Sequence, residues 1–204
     1  MQKLETKSAT PERSSKHQER LTSILRAASV TIAKDGFRGA SVRAVAGRAK
    51  IGLSGIYYYF KSKDELLYAL QHHTFSSLLE SLSERMEKAV TPEDKLKAVI
   101  DNHFRFFVEN MNELKVCVHE LESLSGNYYR SVLDVRREYY RLVRDAVAEN
   151  TGLGDDVPDL AALFLFGSLN WVYTWYDPKK NVDIERVSAE FARMFLDGIR
   201  ATRG

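Results

Sequence analysis

Few side chains in this chain can do covalent or metal chemistry, and their spacing does not suit it. His119-Glu120 opens like the zinc-binding H-E-x-x-H pattern, but Ser123 stands where the second histidine must be. His72 and His73 are adjacent, and neighbouring helical residues point about 100° apart, a poor arrangement for holding one ion. There is no G-x-S-x-G elbow, no phosphate-cradling P-loop and no C-x-x-C pair. Cys117 is the single cysteine among 204 residues, so no internal disulfide framework exists and a reducing cytoplasm fits. It reads as a core residue in an apolar stretch; a redox sensor would need an accessible, electropositive thiol. Neither an enzyme nor a bound metal or cofactor is expected.

Recognition is the chemistry that the sequence offers instead. Ser41 to Lys63 reads SVRAVAGRAKIGLSGIYYYFKSK, two short helices around a turn. Ser41 is a suitable N-cap for the first, and Val42, Val45 and Ala46 give it one apolar stripe. Gly52, which tolerates a positive φ, marks the turn. Ile56 and Phe60 point the second helix inward at i and i+4, which leaves Leu53, Ser54, Gly55, Tyr57, Tyr58 and Tyr59 largely outside. Lys61 and Lys63 close the unit with positive charge. Such a pair is a helix–turn–helix: one helix braces, and the other lays small and hydrogen-bonding groups into a DNA major groove.

The stretch resembles the DNA-binding domain of the TetR (tetracycline repressor-like) family. The resemblance rests on Ser41-Val42-Arg43, on Ala46, Ala49 and Ile51, on Ile56-Tyr57-Tyr58-Tyr59-Phe60 and on Ser62-Lys63-Asp64-Glu65-Leu66. It implies that Arg43 contacts a base or phosphate, that Leu53, Ser54, Gly55 and Tyr57 face base edges, and that Ser41, Tyr58, Tyr59 and Lys63 hold phosphates, with Lys61 beside them. Leu53 departs from the polar residue common at its position and can make only apolar contact, such as with a thymine methyl.

The elements that must carry this stretch are helical throughout. Leu21, Ile24, Leu25, Ala28 and Ile32 keep a helical stripe over residues 16–35, and the polar residues 1–15 read as a mobile arm. Ser62 and Glu65 form a capping box for a long helix from Asp64 to about Val90. Thr91-Pro92 starts another, and further helices follow without strand alternation, so the fold class is all-α. Charge divides where the motif ends: residues 1–63 hold 13 Lys/Arg against 4 Asp/Glu, and residues 64–204 hold 17 against 24. A basic DNA-binding head (1–63) on an acidic helical body (64–204) is the expected organisation. No apolar run is long enough to cross a bilayer, and a membrane partner is not expected.

Aromatic residues crowd the body. They can be packing, or the wall of an apolar cavity with a few polar handles. Candidate effector contacts are Phe104, Phe107, Tyr128, Tyr140, Trp171 and Trp175, with Cys117, Glu120, Arg137 and Asn170 as polar companions. Asn170-Trp171-Val172-Tyr173-Thr174-Trp175-Tyr176-Asp177-Pro178 looks like the Trp-x-x-x-Trp-Tyr-x-Pro signature of TetR-type repressors of lipid and sterol catabolism, which implies release from DNA by acyl-CoA thioesters. In the family the last two helices pair in a dimer. Here they map onto 157–176, with Leu160, Leu163, Phe164, Gly167 and Trp171, and onto 182–203, with Phe191, Phe195, Leu196 and Ile199. The expected protein is a homodimer on a palindromic operator, repressing until a small hydrophobic effector binds. A regulator with another effector or none, and an acyl-binding enzyme or carrier, are the alternatives.

Overall fold

Pro11 is the first residue of a helix, since a proline presets φ for a first turn and its missing N–H would have no helical partner there. The computed structural model describes residues 11–151, 157–180 and 183–201. The arm expected over residues 1–15 is therefore shorter by at least residues 11–15, and its remainder lies outside the described residues. The helices are α1 (Pro11–Gly39), α2 (Val42–Arg48), α3 (Leu53–Tyr59), α4 (Lys63–Met86), α5 (Pro92–Glu109), α6 (Met111–His119), α7 (Gly126–Thr151), α8 (Val157–Asn170), α9 (Val172–Trp175) and α10 (Ile184–Ala201). Single 3-10 turns stand at Leu121–Ser123 and Pro178–Lys180, and no strand occurs among the described residues. The chain forms two compact units, Met1–Leu67 and Tyr68–Gly204, divided within α4.

In the first unit α1 bends at Gly36 (φ 69°), a left-handed conformation that glycine adopts without steric cost. Ile24, Leu25, Ala28 and Ile32 from α1 share the buried core with Val45, Ala46, Ile56, Phe60, Leu66 and Leu67. The turn after α2 differs from the sequence expectation. Gly52 has φ −68° and serves as the N-cap of α3, and the left-handed residue is Lys50 (φ 54°). The backbone explains this: Ile51 N–H donates to Ala46 O (3.1 Å) and Lys50 N–H to Gly47 O (3.2 Å). These two bonds are a Schellman closure, which satisfies carbonyls that the helix end leaves open and outweighs roughly 1 kcal/mol of left-handed strain at a lysine.

In the second unit the buried interior holds Leu78 and Leu82 of α4, Leu96, Val99, Ile100, Phe104 and Phe107 of α5, Val143 and Val147 of α7, Leu165 and Leu169 of α8 and Leu196 of α10. Each large apolar side chain removed from water there contributes roughly 1.5–3 kcal/mol. Thr91 and Asp94 make a capping box at the head of α5, with Pro92 at its first turn. Arg105 spans from Asp101 on its own helix (2.8 Å) to Glu185 of α10 (2.9 Å), and Lys95 reaches Glu149 of α7 (2.8 Å). No described helix is long and apolar enough to cross a membrane.

Candidate functional site

Two regions gather side chains suited to recognition, one in each unit. In the first, Ser41 Oγ accepts from Ala44 N–H at 3.1 Å and so starts α2 beside Arg43, which is exposed. The Ser41 hydroxyl hydrogen stays available to an outside acceptor. On α3, Ile56 is 1% exposed and Phe60, just past its end, is buried. That anchoring turns the opposite side outward: Leu53 and Ser54 are exposed, Gly55 and Tyr59 half-buried, Tyr57 52% and Tyr58 76% exposed. Tyr58 meets Tyr59 edge-on at 5.1 Å, and His17 of α1 lies 4.8 Å from the Tyr59 ring. The sequence reading missed His17, because only the packing of α1 brings it to the tyrosines. Lys61 is exposed, and its N–H donates to Glu65 Oε2 at 2.6 Å. Lys63 is engaged within the unit: Nζ donates to Arg38 O (3.2 Å) and lies 4.5 Å from the Phe37 ring centre.

The second region is a cavity of about 300 Å³ in the body unit. Aromatic walls come from Phe75 of α4, Phe107 of α5, Tyr139 and Tyr140 of α7 and Phe166 of α8, with Leu114, Cys117 and Val118 of α6 and Leu133 of α7 completing the apolar surface. His103 of α5 carries the polar floor. Its Nδ1 lies 3.2 Å from Tyr139 Oη and its Nε2 3.2 Å from Asn170 Oδ1. Burial pushes the imidazole down to about 3, so it is neutral at physiological pH. A single Nε2–H tautomer satisfies both contacts: Nε2–H donates to Asn170 and Nδ1 accepts the Tyr139 proton. Burial likewise raises the Tyr139 phenol and pushes the Cys117 thiol up to about 12, which keeps that sulfur protonated and unreactive. Arg136 and Arg137 complete the lining. Tyr140 is held by Asp159, to which its hydroxyl donates at 2.8 Å.

Of the candidate effector contacts, Phe107, Cys117, Arg137, Tyr140 and Asn170 line this cavity, and the other five do not. Phe104 packs edge-on against Phe191 at 5.4 Å, in the core between α5 and α10. Tyr128 stacks on Tyr68 at 4.6 Å. Glu120 ends α6, where its carbonyl accepts from Gln71 and its carboxylate from Ser123. Trp171 and Trp175 are exposed: Trp171 lies one turn beyond Gly167 on the outer side of α8, and Trp175 ends the short α9. His103 lines the cavity without having been considered as an effector contact, and the i,i+4 pair His103/Phe107 on one amphipathic helix was the available signal. Arg136 lines it as well, from a set with Arg137, Arg141 and Arg144 that the sequence offers as a solvated face or as a reach toward an anionic ligand, as do Tyr139 and Phe166 of the aromatic residues that crowd the body.

The dimerisation candidates divide by helix. On α8, Leu160, Leu163, Phe164 and Gly167 are all exposed, Phe164 at 74%, and they form a stripe that continues to Trp171. On α10, Phe191 and Phe195 pack half-buried against the unit's own core, and Leu196 and Ile199 are buried in it. The reason is amphipathicity: α10 has one apolar stripe, and α5 and α7 cover it, which leaves Met194 exposed on the far side.

Comparison with known proteins places these two regions in a context. Residues 24–70 match the family described as bacterial regulatory proteins, tetR family, and residues 89–199 match the tetracyclin repressor-like C-terminal domain. The chain is similar to the fatty acid metabolism regulator protein of Bacillus subtilis (strain 168), with 25% identity over 182 residues, 86% of this chain and 93% of that one. Its fold matches AibR, solved in complex with isovaleryl coenzyme A and operator DNA, with a TM-score of 0.76 and 20% identity over 86% of this chain and 97% of that one. It also matches FadR of Bacillus subtilis, solved in complex with stearoyl-CoA, with a TM-score of 0.70 and 23% identity over 87% and 98% of the two chains.

Proposed function

The chain belongs to the TetR family of bacterial regulatory proteins, and from that premise we propose that it is a cytoplasmic repressor released from its operator by a small acyl thioester. It is a DNA-binding transcriptional regulator rather than an enzyme, and it acts as a dimer on double-stranded DNA. Two recognition helices related by a two-fold axis read a palindrome, because one short helix covers only a few base pairs.

The observation that carries the effector reading is the aromatic cavity with its neutral His103–Tyr139–Asn170 floor. A cavity of about 300 Å³ sits at the small end of ligand sites and suits a short or medium acyl group, with the bulk of any carrier outside. The relatives solved with isovaleryl coenzyme A and stearoyl-CoA bracket that size range. Bound acyl groups act by favouring the conformation that does not fit DNA, since only differential affinity moves the equilibrium. Fluorescence anisotropy of labelled operator with added butanoyl-, octanoyl- and stearoyl-CoA tests this. Octanoyl-CoA is expected to weaken operator binding at least about tenfold, within the usual range of allosteric coupling. Operator affinity unmoved by saturating thioester of every length ends the proposal.

The DNA contacts follow from the exposed side of α3 together with Arg43. Arg43 is assigned to a base or phosphate, Leu53, Ser54, Gly55 and Tyr57 to the groove floor, and Ser41, Tyr58, Tyr59 and Lys61 to phosphates. Lys63, tied to Arg38 O, is assigned to holding α4 against α1 as well as to the phosphate field. Lys61→Ala is expected to weaken binding several-fold to every duplex alike, and to make the salt dependence shallower by about one unit. Loss of sequence preference with an unchanged salt slope would contradict that role.

A further inference from the structure

Arg136 is the cation of the cavity wall that no carboxylate among the described residues contacts, Glu122 acting on it only through space. Its side chain is half-buried, Nη1 donates to Cys117 O at 3.3 Å, and the guanidinium lies 5.0 Å from the Phe75 ring centre. Among the described residues it makes no ion pair, whereas Arg85, Arg105, Arg137 and Arg144 each reach a carboxylate within 3.3 Å. A guanidinium has five N–H donors and does not lose its proton in a protein, so drawing it from water without a carboxylate costs stability. The cost becomes intelligible when a ligand supplies the missing anion.

We propose that Arg136 is the anion receptor of this cavity, so that the effector is an apolar group joined to a carboxylate or phosphate held by its guanidinium. This rests on the reading that the cavity is the effector site. The guanidinium carbon stands over the Phe75 ring and one Nη1 donor goes to the Cys117 carbonyl, which leaves the other donors to meet an oxyanion in a bidentate pair. Arg137, exposed and paired with Asp134, stands next to it at the open side with Val118 and Leu163. The apolar body of the ligand then lies among Phe107, Leu133 and Phe166, and the neutral floor meets its far end.

The test uses two pairs of probes that differ in the anionic group alone, titrated calorimetrically into the full chain, with octanoyl-CoA titrated beside them. Octanoate against octanamide reports a carboxylate at Arg136, and octanoyl-4′-phosphopantetheine against octanoyl-pantetheine reports a phosphate. In at least one pair the anion is expected to bind at least about tenfold tighter, the scale of a charge-assisted hydrogen bond. Arg136→Gln, and Arg136→Met as a second variant that keeps the stem, are expected to close that gap, while Arg136→Lys retains part of it. Equal affinities within both pairs overturn the proposal in the wild type alone, as does failure of every anionic probe to bind. A gap that survives Arg136→Gln or Arg136→Met also overturns it. Octanoate binding that depends on Arg136, with octanoyl-CoA inert, supports the receptor and removes the thioester reading. Octanoyl-CoA binding through Arg136 without operator release supports the receptor and removes the release mechanism.

Discussion

Phe164→Asp is expected to run as a monomer in sedimentation at micromolar concentration and to lose at least about a hundredfold in operator affinity. The first effect follows from the stripe on α8, where Leu160, Leu163, Phe164, Gly167 and Trp171 recur at helical spacing and all stand exposed. A contiguous apolar stripe of that kind on a folded unit marks a surface that another surface covers. Across a two-fold axis one substitution enters the interface twice, so two carboxylates would be drawn from water there. The second effect is avidity. Once one head is bound, the other meets its half-site at high effective concentration, and losing that link typically costs about two to four powers of ten. Phe164 is the right probe, because it supports no core, whereas Leu163, 59% exposed, also lines the cavity. A Phe164→Asp protein that remains dimeric and binds operator normally would exclude α8 from the interface. Circular dichroism should match the wild type, since the side chain lies outside the fold.

The sequence was legible where local rules and structure share a period. The helical spacing of Ile56 and Phe60 predicts which side of α3 is buried, and therefore which side reaches outward. Ser41, Ser62 and Thr91 cap helices through contacts three residues long, and all three are found. Legibility fails where the partner is distant in sequence. The apolar residues of α10 look alike whether they face a second subunit or the home core, and only packing with α5 and α7 shows Ile199 buried in the home core and Phe191 and Phe195 half-buried against it. Composition likewise marks an aromatic body without saying which rings enclose space. Phe104 and Phe107 sit one turn apart, yet one fills the core against Phe191 and the other walls the cavity. His103 escaped notice because its partners lie 36 and 67 residues away. Lys50 in a left-handed conformation opposes the residue preference outright, and only the closure of α2 accounts for it.

Acidification tests the cavity floor more sharply than any contact there. His103 is buried, and its folded value is lowered to about 3 by burial, with the Asn170 bond opposing. An unfolded chain binds that proton near the ordinary histidine value of about 6.5, so protons favour the unfolded state throughout the interval. The sign follows directly: the contribution is complete above about pH 6.5 and is lost as pH falls toward the folded value. Between about pH 7.5 and about pH 5 the loss amounts to about 2 kcal/mol, close to thirtyfold in the folding constant. His103→Gln keeps a neutral polar group on α5 and removes the titration. The variant is expected to be less stable at neutral pH by about 1–3 kcal/mol, because Tyr139 and Asn170 lose matched partners in a dry setting. Its urea midpoint should nonetheless fall less steeply with acid, the difference between the two slopes being the part that belongs to this imidazole, since titrations common to both proteins cancel. Parallel pH profiles would mean that His103 takes up its proton in the folded state. The floor would then carry a positive charge beside Tyr139 and Asn170, and a second cation would compete with Arg136 for the effector's anion.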